Sequence, residues 1–272
     1  MKPADFDYVR NYVRAQAAIV IEPGKEYLVE SRLLTLARKE NIASIDLLVD
    51  QLRAKPGSEL HRRVVDAMTT NETSFFRDLH PFEALKKSLL PELVQKRRAE
   101  RQLNFWCGAA STGQESFSVL MTIAENFPEI FQWNFNFIAT DLSLAVLAQA
   151  QSGIYSQLEV NRGLPATHLV KFFKRQGDNW EFDPVLRKKV LFKELNLVSN
   201  WPFMPAMDVV FLRNVLIYFD VETKKTILGK IRRLLRPGGY LFLGGAETTL
   251  NLDDAYERVV LDRATCYRTP LV

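Results

Sequence analysis

Residues 71–78 read NETSFFRD. Asn71 offers an amide, Thr73 a hydroxyl and Arg77 a guanidinium, set around the adjacent aromatics Phe75 and Phe76. A guanidinium can take a carboxylate in a paired, charge-assisted contact. An amide and a hydroxyl can add neutral hydrogen bonds to the same end of a ligand. The stretch has no cysteine or histidine and is neither a metal box nor a phosphate loop. Read alone, it equally starts an amphipathic helix whose two phenylalanines are core.

A second stretch, FWCGAASTGQES (105–116), runs from a strand through a small-residue loop into a helix. Gly108 and Gly113 let the backbone approach a ligand closely, and the helix start behind them favours negative or polar groups. The spacing G-x-G-x-x-G is absent, so the loop is not a dinucleotide fingerprint and serves as well as a tight strand–helix turn. In FIATDLS, Asp141 ends the next strand. An acid there can accept hydrogen bonds from both ribose hydroxyls of a nucleoside, or cap the following helix. Glu115, in the first helical turn after the loop, has the same two readings. Asn196 and Asn214 fall at or just beyond strand ends, the edge along which doubly wound sheets bind ligands. Asn196 reads equally as a turn residue. An Arg-Asn pair closing a buried strand is costly unless used, which favours a role for Asn214. Tyr218 follows one turn later and faces the same mouth or sits in the core.

These residues need a scaffold. Residues 1–70 carry helical periodicity: DYVRNYVRAQAAIVI places Tyr8, Tyr12, Ala15 and Ile19 on one stripe, and the next segment does so with Tyr27, Leu28, Leu33, Leu34 and Ala37. Pro23-Gly24 separates the two, and Ser44 and Ser58 are candidate caps for two further helices. From residue 100 strands and helices alternate: strands at 103–110, 135–141, 188–195, 207–214, 240–245 and 265–271, with helices at 113–127, 142–151 and 222–235. Such alternation implies α/β architecture with a parallel sheet. Residues 153–187 are too long for a plain crossover and read as an inserted subdomain with a short helix and a hairpin around RQGDNWEF. The expected division is a helical domain over 1–78, including the segment 71–78, and an α/β domain over 79–272 that carries the insert 153–187.

The 272 residues are 47% hydrophobic and 25% charged, ordinary for a globular chain. A net charge of +4 allows an acidic partner without demanding one. Two cysteines, Cys107 and Cys266, cannot make a four-ligand zinc site and suit a reducing compartment. The three histidines, His61, His80 and His168, sit in no ligand spacing, so no metal is expected. No apolar h-region opens the chain and no apolar run approaches a membrane span, so a cytoplasmic protein without membrane insertion is expected. Interleaved acids argue against nucleic acid as a partner.

The order of NETSFFRD, AASTGQES, ATDLS, LNL, RNVLIYFD and LRPGGYLFLGGAE resembles the chemotaxis receptor methyltransferases of the CheR type, from about residue 10 to the end. NETSFFR and RNVLIYF carry most of the specificity. One departure is Gln114, where the family often has a first acid before the second, here Glu115. The resemblance implies a Rossmann-like class I methyltransferase domain with a small inserted β-subdomain, preceded by an all-helical domain. It implies S-adenosylmethionine as cofactor, with S-adenosylhomocysteine as product. Asn71, Thr73 and Arg77 would close over it, Arg77 on the methionine carboxylate, while Phe75 and Phe76 wedge the segment between the domains. Glu115 and Asp141 would bind its amino or ribose groups. Asn196-Leu197 and Asn214-Val215 would line the adenine and tail pocket.

The resemblance also implies methyl transfer to glutamate side chains of chemoreceptors, giving glutamyl methyl esters. Free glutamate has a pKa of about 4.3 and is already ionised at neutral pH, so no histidine base is required. Tyr218 is the first candidate for orienting the acceptor carboxylate, with Arg77 adding positive potential. The partner would be the cytoplasmic helical bundle of the receptor, met by a single chain, with Arg32, Arg38 and Lys39 as candidate contacts. Two rivals stand beside this reading: a methyltransferase of nucleic acid or a small molecule, and a non-catalytic module that binds the same cofactor. An NAD-dependent oxidoreductase fits poorly, because both the glycine spacing and the position of the acid differ.

Overall fold

The computed structural model describes residues 1–271. The chain forms two compact units, Met1–Thr70 with Tyr218–Thr223, and Asn71–Ile217 with the chain from Lys224 onward.

The first unit contains α1 (Pro3–Ala17), α2 (Glu26–Lys39), α3 (Ile45–Ala54) and α4 (Glu59–Met68). Their buried stripes are Phe6, Val9 and Val13 on α1, Val29, Leu33 and Leu36 on α2, Leu48, Val49 and Leu52 on α3, and Val64 and Met68 on α4. The expected helices are therefore present, but α1 buries a different face from the one expected, whereas α2 buries Leu33 and Ala37 as expected and Val29 and Leu36 in place of Tyr27 and Leu34. Tyr27 and Leu34 are exposed and Tyr8 and Tyr12 half-buried. Both helices carry apolar residues outside one stripe, and the partner helices select the branched aliphatic one. Ser44 caps α3 by accepting from the Leu47 N–H at 3.2 Å. Ser58 instead pairs its hydroxyl with His61 Nδ1 at 3.1 Å. Arg32 is not free for a partner. It donates to the carbonyls of Met68 (2.5 Å) and Thr69 (3.0 Å), the orphan acceptors at the end of α4.

The second unit opens with α5 (His80–Ala84), a π turn (Leu85–Leu89) and α6 (Leu90–Lys96). Then come β1 (Gln102–Gly108), α7 (Gln114–Asn126), β2 (Asn134–Asp141) and α8 (Leu144–Ser152). The insert follows as β3 (Ile154–Ser156), α9 (Gln157–Val160), α10 (Ala166–Phe172), β4 (Phe173–Gln176), β5 (Asn179–Phe182) and α11 (Pro184–Arg187). The unit ends with β6 (Val190–Glu194), β7 (Met207–Leu212), α12 (Val221–Leu234, whose first three residues group with the helical unit), β8 (Leu235–Leu243), β9 (Glu257–Leu261) and β10 (Ala264–Arg268). Seven strands form one sheet in the order β6-β2-β1-β7-β8-β10-β9, and β3-β5-β4 form a separate antiparallel sheet.

Five strands of the large sheet are parallel, whereas β10 runs antiparallel to β8 and to β9. The sheet is thus mixed rather than all parallel, and β9 had no counterpart in the sequence reading. Its ERVVL is mostly solvated at the sheet edge and begins with two charges, so it lacks the apolar signature of a buried strand. One sheet face presents Phe105, Phe137, Val209, Phe211 and Phe242 to a core shared with Phe82, Leu85, Phe117 and Leu120. No helix among the described residues is long and apolar enough to cross a membrane.

Candidate cofactor site

The parallel register puts the carboxyl ends of the strands on one edge. Gly108 lies opposite Thr140 and Leu212, Leu212 opposite Leu243, and Asp141 opposite Glu194. The loops carrying Asp141, Asn196, Leu197, Asn214 and Val215 all leave from this edge, and Glu115 follows one turn into α7.

The β1–α7 loop is held open by its backbone. Ala109, Ser111 and Gly113 have φ of 54°, 51° and 94°, left-handed values that cost non-glycine residues energy unless the surroundings impose them. At Gly113 a Cβ would lie 2.9 Å from the Ala150 Cβ. Asp141 supplies part of the constraint. Its carboxylate accepts from the Ser111 N–H at 2.8 Å and from the Ser143 N–H at 3.0 Å. The second bond is a local Asx turn, so Asp141 shapes the loop and does not cap α8 from the N-cap position, which Ser143 occupies. Burial pushes the Asp141 carboxyl up, against the lowering effect of N–H donors from Ser143, Ser111 and Leu142.

The NETSFFRD segment closes onto this edge. Ser111 Oγ donates to the Asn71 carbonyl at 2.7 Å, and the Phe76 N–H donates to Ser118 Oγ at 2.9 Å. Thr73 lies between these anchors, half-buried. Phe75 and Phe76, expected as a wedge between domains, are anchors inside the α/β unit. Phe75 meets Tyr155 and Phe173 edge-on at 5.1 and 5.5 Å, and Phe76 meets Phe82 at 5.2 Å. Gly163, with φ of 81°, passes so close that a Cβ would sit 2.1 Å from the Phe75 carbonyl. Arg77 donates to the Glu72 carbonyl at 3.1 Å and makes no ion pair among the described residues. It is therefore a half-buried cation beside the sheet edge with its charge uncompensated at contact distance.

Arg213, Asp78 and Glu247 organise the edge, and the sequence reading assigned none of them a place in it. Arg213 is the buried hub. It donates to Glu115 Oε2 at 2.6 Å, Asp78 Oδ2 at 2.7 Å and the Arg77 carbonyl at 2.9 Å. Its guanidinium carbon lies 5.9 Å from the Phe82 ring centroid. Glu115 also accepts from the Cys107 thiol at 3.1 Å, and burial, then this carboxylate, pushes that thiol well up. Glu247 accepts from the N–H groups of Asn214 (2.8 Å), Gly244 (2.7 Å) and Ile217 (3.3 Å). It thereby fixes Asn214 at φ of 58°, its amide close above Gly244, where a Cβ would be 2.6 Å from Nδ2. The signal for Arg213 was the costly Arg-Asn pair ending a buried strand. The signal for Glu247 was an acid just past the GG that ends β8.

Asn196 accepts from the Val198 N–H at 3.2 Å, as a turn residue does. Its neighbour Leu197 is buried. Lys230 steadies this loop by donating to the carbonyls of Leu197 (3.3 Å), Val198 (3.3 Å) and Ser199 (2.7 Å) beneath the Trp201 ring. Val215 is half-buried next to Asn214. Tyr218 ends a 3-10 turn, Leu216–Tyr218, and groups with the helical unit, where its carbonyl accepts from the Val20 N–H at 2.9 Å.

Residues 71–265 match the sequence profile of the CheR methyltransferase, SAM binding domain, and residues 4–69 match that of the CheR methyltransferase, all-alpha domain. The chain belongs to the CheR methyltransferase family. It is 41% identical over 270 residues to Chemotaxis protein methyltransferase 1 of Pseudomonas aeruginosa, covering 97% of each. It is 39% identical over 269 residues to Chemotaxis protein methyltransferase Cher2 of Pseudomonas putida, again covering 97% of each. With a Chemotaxis protein methyltransferase of Vibrio parahaemolyticus it shares 37% over 265 residues, 94% of each. The α/β unit is thus the S-adenosylmethionine-binding domain of a CheR methyltransferase, with the helical unit as its all-alpha partner.

The groups at the sheet edge fit that cofactor by charge. Arg77 suits its carboxylate, the acids Glu115 and Asp141 suit its amino group and ribose hydroxyls, and the amides of Asn196 and Asn214 suit a base edge or tail.

Proposed function

We propose that the protein transfers the methyl group of S-adenosylmethionine to glutamate side chains of chemoreceptors, in the cytoplasm, forming glutamyl methyl esters. The full-length match to chemotaxis methyltransferases carries this reading. The residue types at the sheet edge agree with it.

Bound S-adenosylmethionine supplies an activated methyl on a sulfonium. In this account Arg77 holds the carboxylate of its tail, Thr73 and Asn71 add polar contacts, and Glu115 takes the amino group. Asp141 accepts from the ribose, and Asn196-Leu197 with Asn214-Val215 bound the base and tail. The acceptor glutamate is ionised at neutral pH, so the enzyme needs no proton acceptor in the transfer step. Its task is to align carboxylate oxygen, methyl carbon and sulfur, and alignment of this kind contributes up to roughly 7–11 kcal/mol. Burying the acceptor would raise its pKa, so a hydroxyl or cation must hold it. Tyr218 is assigned that role, with Arg77 adding positive potential.

Incubation with methyl-labelled S-adenosylmethionine and a chemoreceptor cytoplasmic fragment tests the proposal. Label should enter the receptor and leave as methanol in mild base, the signature of an ester. Label that resists base, or that enters only nucleic acid or a small molecule, would overturn it.

A further inference from the structure

The insert 153–187 reaches the candidate cofactor site through one fully buried side chain. Tyr155, the middle residue of β3, pairs with Trp180 of β5. Its hydroxyl donates to the Thr112 carbonyl in the β1–α7 loop at 2.6 Å. Its ring meets Phe75 edge-on at 5.1 Å and Phe117 of α7 at 6.2 Å. Gly113 passes so close that a Cβ there would lie 3.2 Å from the same hydroxyl. Tyr155 thus touches both the glycine loop and the NETSFFRD segment. We propose that Tyr155 is a positioning residue for S-adenosylmethionine, setting the β1–α7 loop against NETSFFRD and so linking the order of the insert to cofactor binding.

The loop needs an external hold, because Ala109, Ser111 and Gly113 are left-handed and such backbone persists only where the surroundings over-determine it. Asp141 holds the Ser111 N–H, and Ser111 Oγ ties the loop to the Asn71 carbonyl. Thr112 and Gly113 lie beyond those two bonds, and the Tyr155 hydroxyl supplies a hold on that half. Burial pushes the Tyr155 phenol well up, so it stays a protonated donor at neutral pH. The other end of the hold is also fixed. Gly153 closes α8 in the left-handed region, and its carbonyl accepts from the Phe182 N–H of β5 at 2.8 Å. A support that preorganises a binding loop acts on affinity, because without it the loop must be ordered when the ligand binds. Such coupling is reciprocal, so bound cofactor steadies the insert as the insert steadies the loop.

This inference rests on the cofactor site described above, and one experiment separates the two. S-adenosylmethionine affinity by calorimetry, and amide hydrogen exchange of β3 and β5 with and without cofactor, are measured for wild type, Tyr155→Phe, Gln157→Ala and Asp141→Ala. Tyr155→Phe keeps the ring and removes only the hydroxyl. It should bind cofactor about fivefold more weakly, the size of one neutral hydrogen bond. Cofactor should protect β3 and β5 from exchange in wild type, and less so in Tyr155→Phe. In methyl transfer the KM for S-adenosylmethionine should rise by a similar factor while kcat stays within about twofold. Gln157→Ala removes the acceptor of the Trp180 indole N–H inside the insert, a 2.9 Å bond that touches neither the loop nor NETSFFRD, and should leave cofactor affinity unchanged. If Asp141→Ala binds weakly while Tyr155→Phe matches wild type in affinity and protection, whatever its stability, this inference is wrong and the site stands. If Asp141→Ala also binds like wild type, the site itself is misplaced and the inference falls with it.

Discussion

Replacing Arg213 by methionine should be among the most damaging single changes in the α/β unit. The Arg213 side chain is 1% exposed and that of Glu115 13% exposed, with 2.6 Å between their charged atoms. Asp78 is half-exposed and can return to water, so its share of the pair is small. Glu115 cannot, and removing one partner of a buried pair costs about 3–5 kcal/mol, because the other charge stays buried and unpaired. At 1.4 kcal/mol per decade this is roughly a 150- to 4,000-fold fall in the folding constant. The mechanism has a sharper consequence than the size. Arg213→Met/Glu115→Gln removes the stranded charge together with its partner, so the double variant should be more stable than Arg213→Met alone by about 2 kcal/mol or more. Urea denaturation of wild type, both single variants and the double variant gives the cycle. Additivity within about 0.5 kcal/mol would refute the reasoning, because coupled neighbours do not add.

Other outcomes follow from the same contacts. Ser118→Ala strands the buried Phe76 N–H and should cost about 1–3 kcal/mol in chemical denaturation. Gly163→Ala forces a Cβ onto the Phe75 carbonyl and should displace NETSFFRD, weakening cofactor binding in calorimetry while the circular dichroism of the sheet persists. The raised pKa of Asp141 makes it protonate above the ordinary aspartate value of 3.8. A protonated Asp141 loses acceptor capacity for ribose hydroxyls, so cofactor affinity should begin to fall on acidification at a pH above 3.8, and Asp141→Asn should flatten that profile. His61 is buried, and burial lowers its pKa below 6.5. The unfolded chain therefore takes up this proton first, and stability should decline as pH falls from 6.5 towards the lowered value. His61→Gln should remove that part of the decline in thermal melts recorded across the range.

The sequence made the strand–helix alternation legible because each parallel strand is a short apolar run bounded by turn residues, as LNFWCG and DVVFL show. The same pattern located Asp141, Asn196 and Asn214, since their position at strand ends follows from the runs themselves. What stayed hidden was set by tertiary pairing. β9 is a charged edge strand whose identity depends on β10. The stripe on α1 depends on which of two apolar sets its neighbours select. Arg213 and Glu247 act through partners as far as 136 positions away in the chain, as with Arg77, and no local spacing reports that. Phe75 and Phe76 were visible as a pair, but their seat against Tyr155, Phe173 and Phe82 required the insert to be folded back on the segment.

The most direct test of the cofactor site is calorimetric titration of S-adenosylmethionine into wild type, Arg77→Ala and Asp141→Ala. The account predicts binding to wild type and a loss of about tenfold or more in Arg77→Ala, the cost of one charge-assisted contact, with a comparable loss in Asp141→Ala. Unchanged affinity in Arg77→Ala would contradict it, leaving NETSFFRD a structural anchor that never touches the ligand.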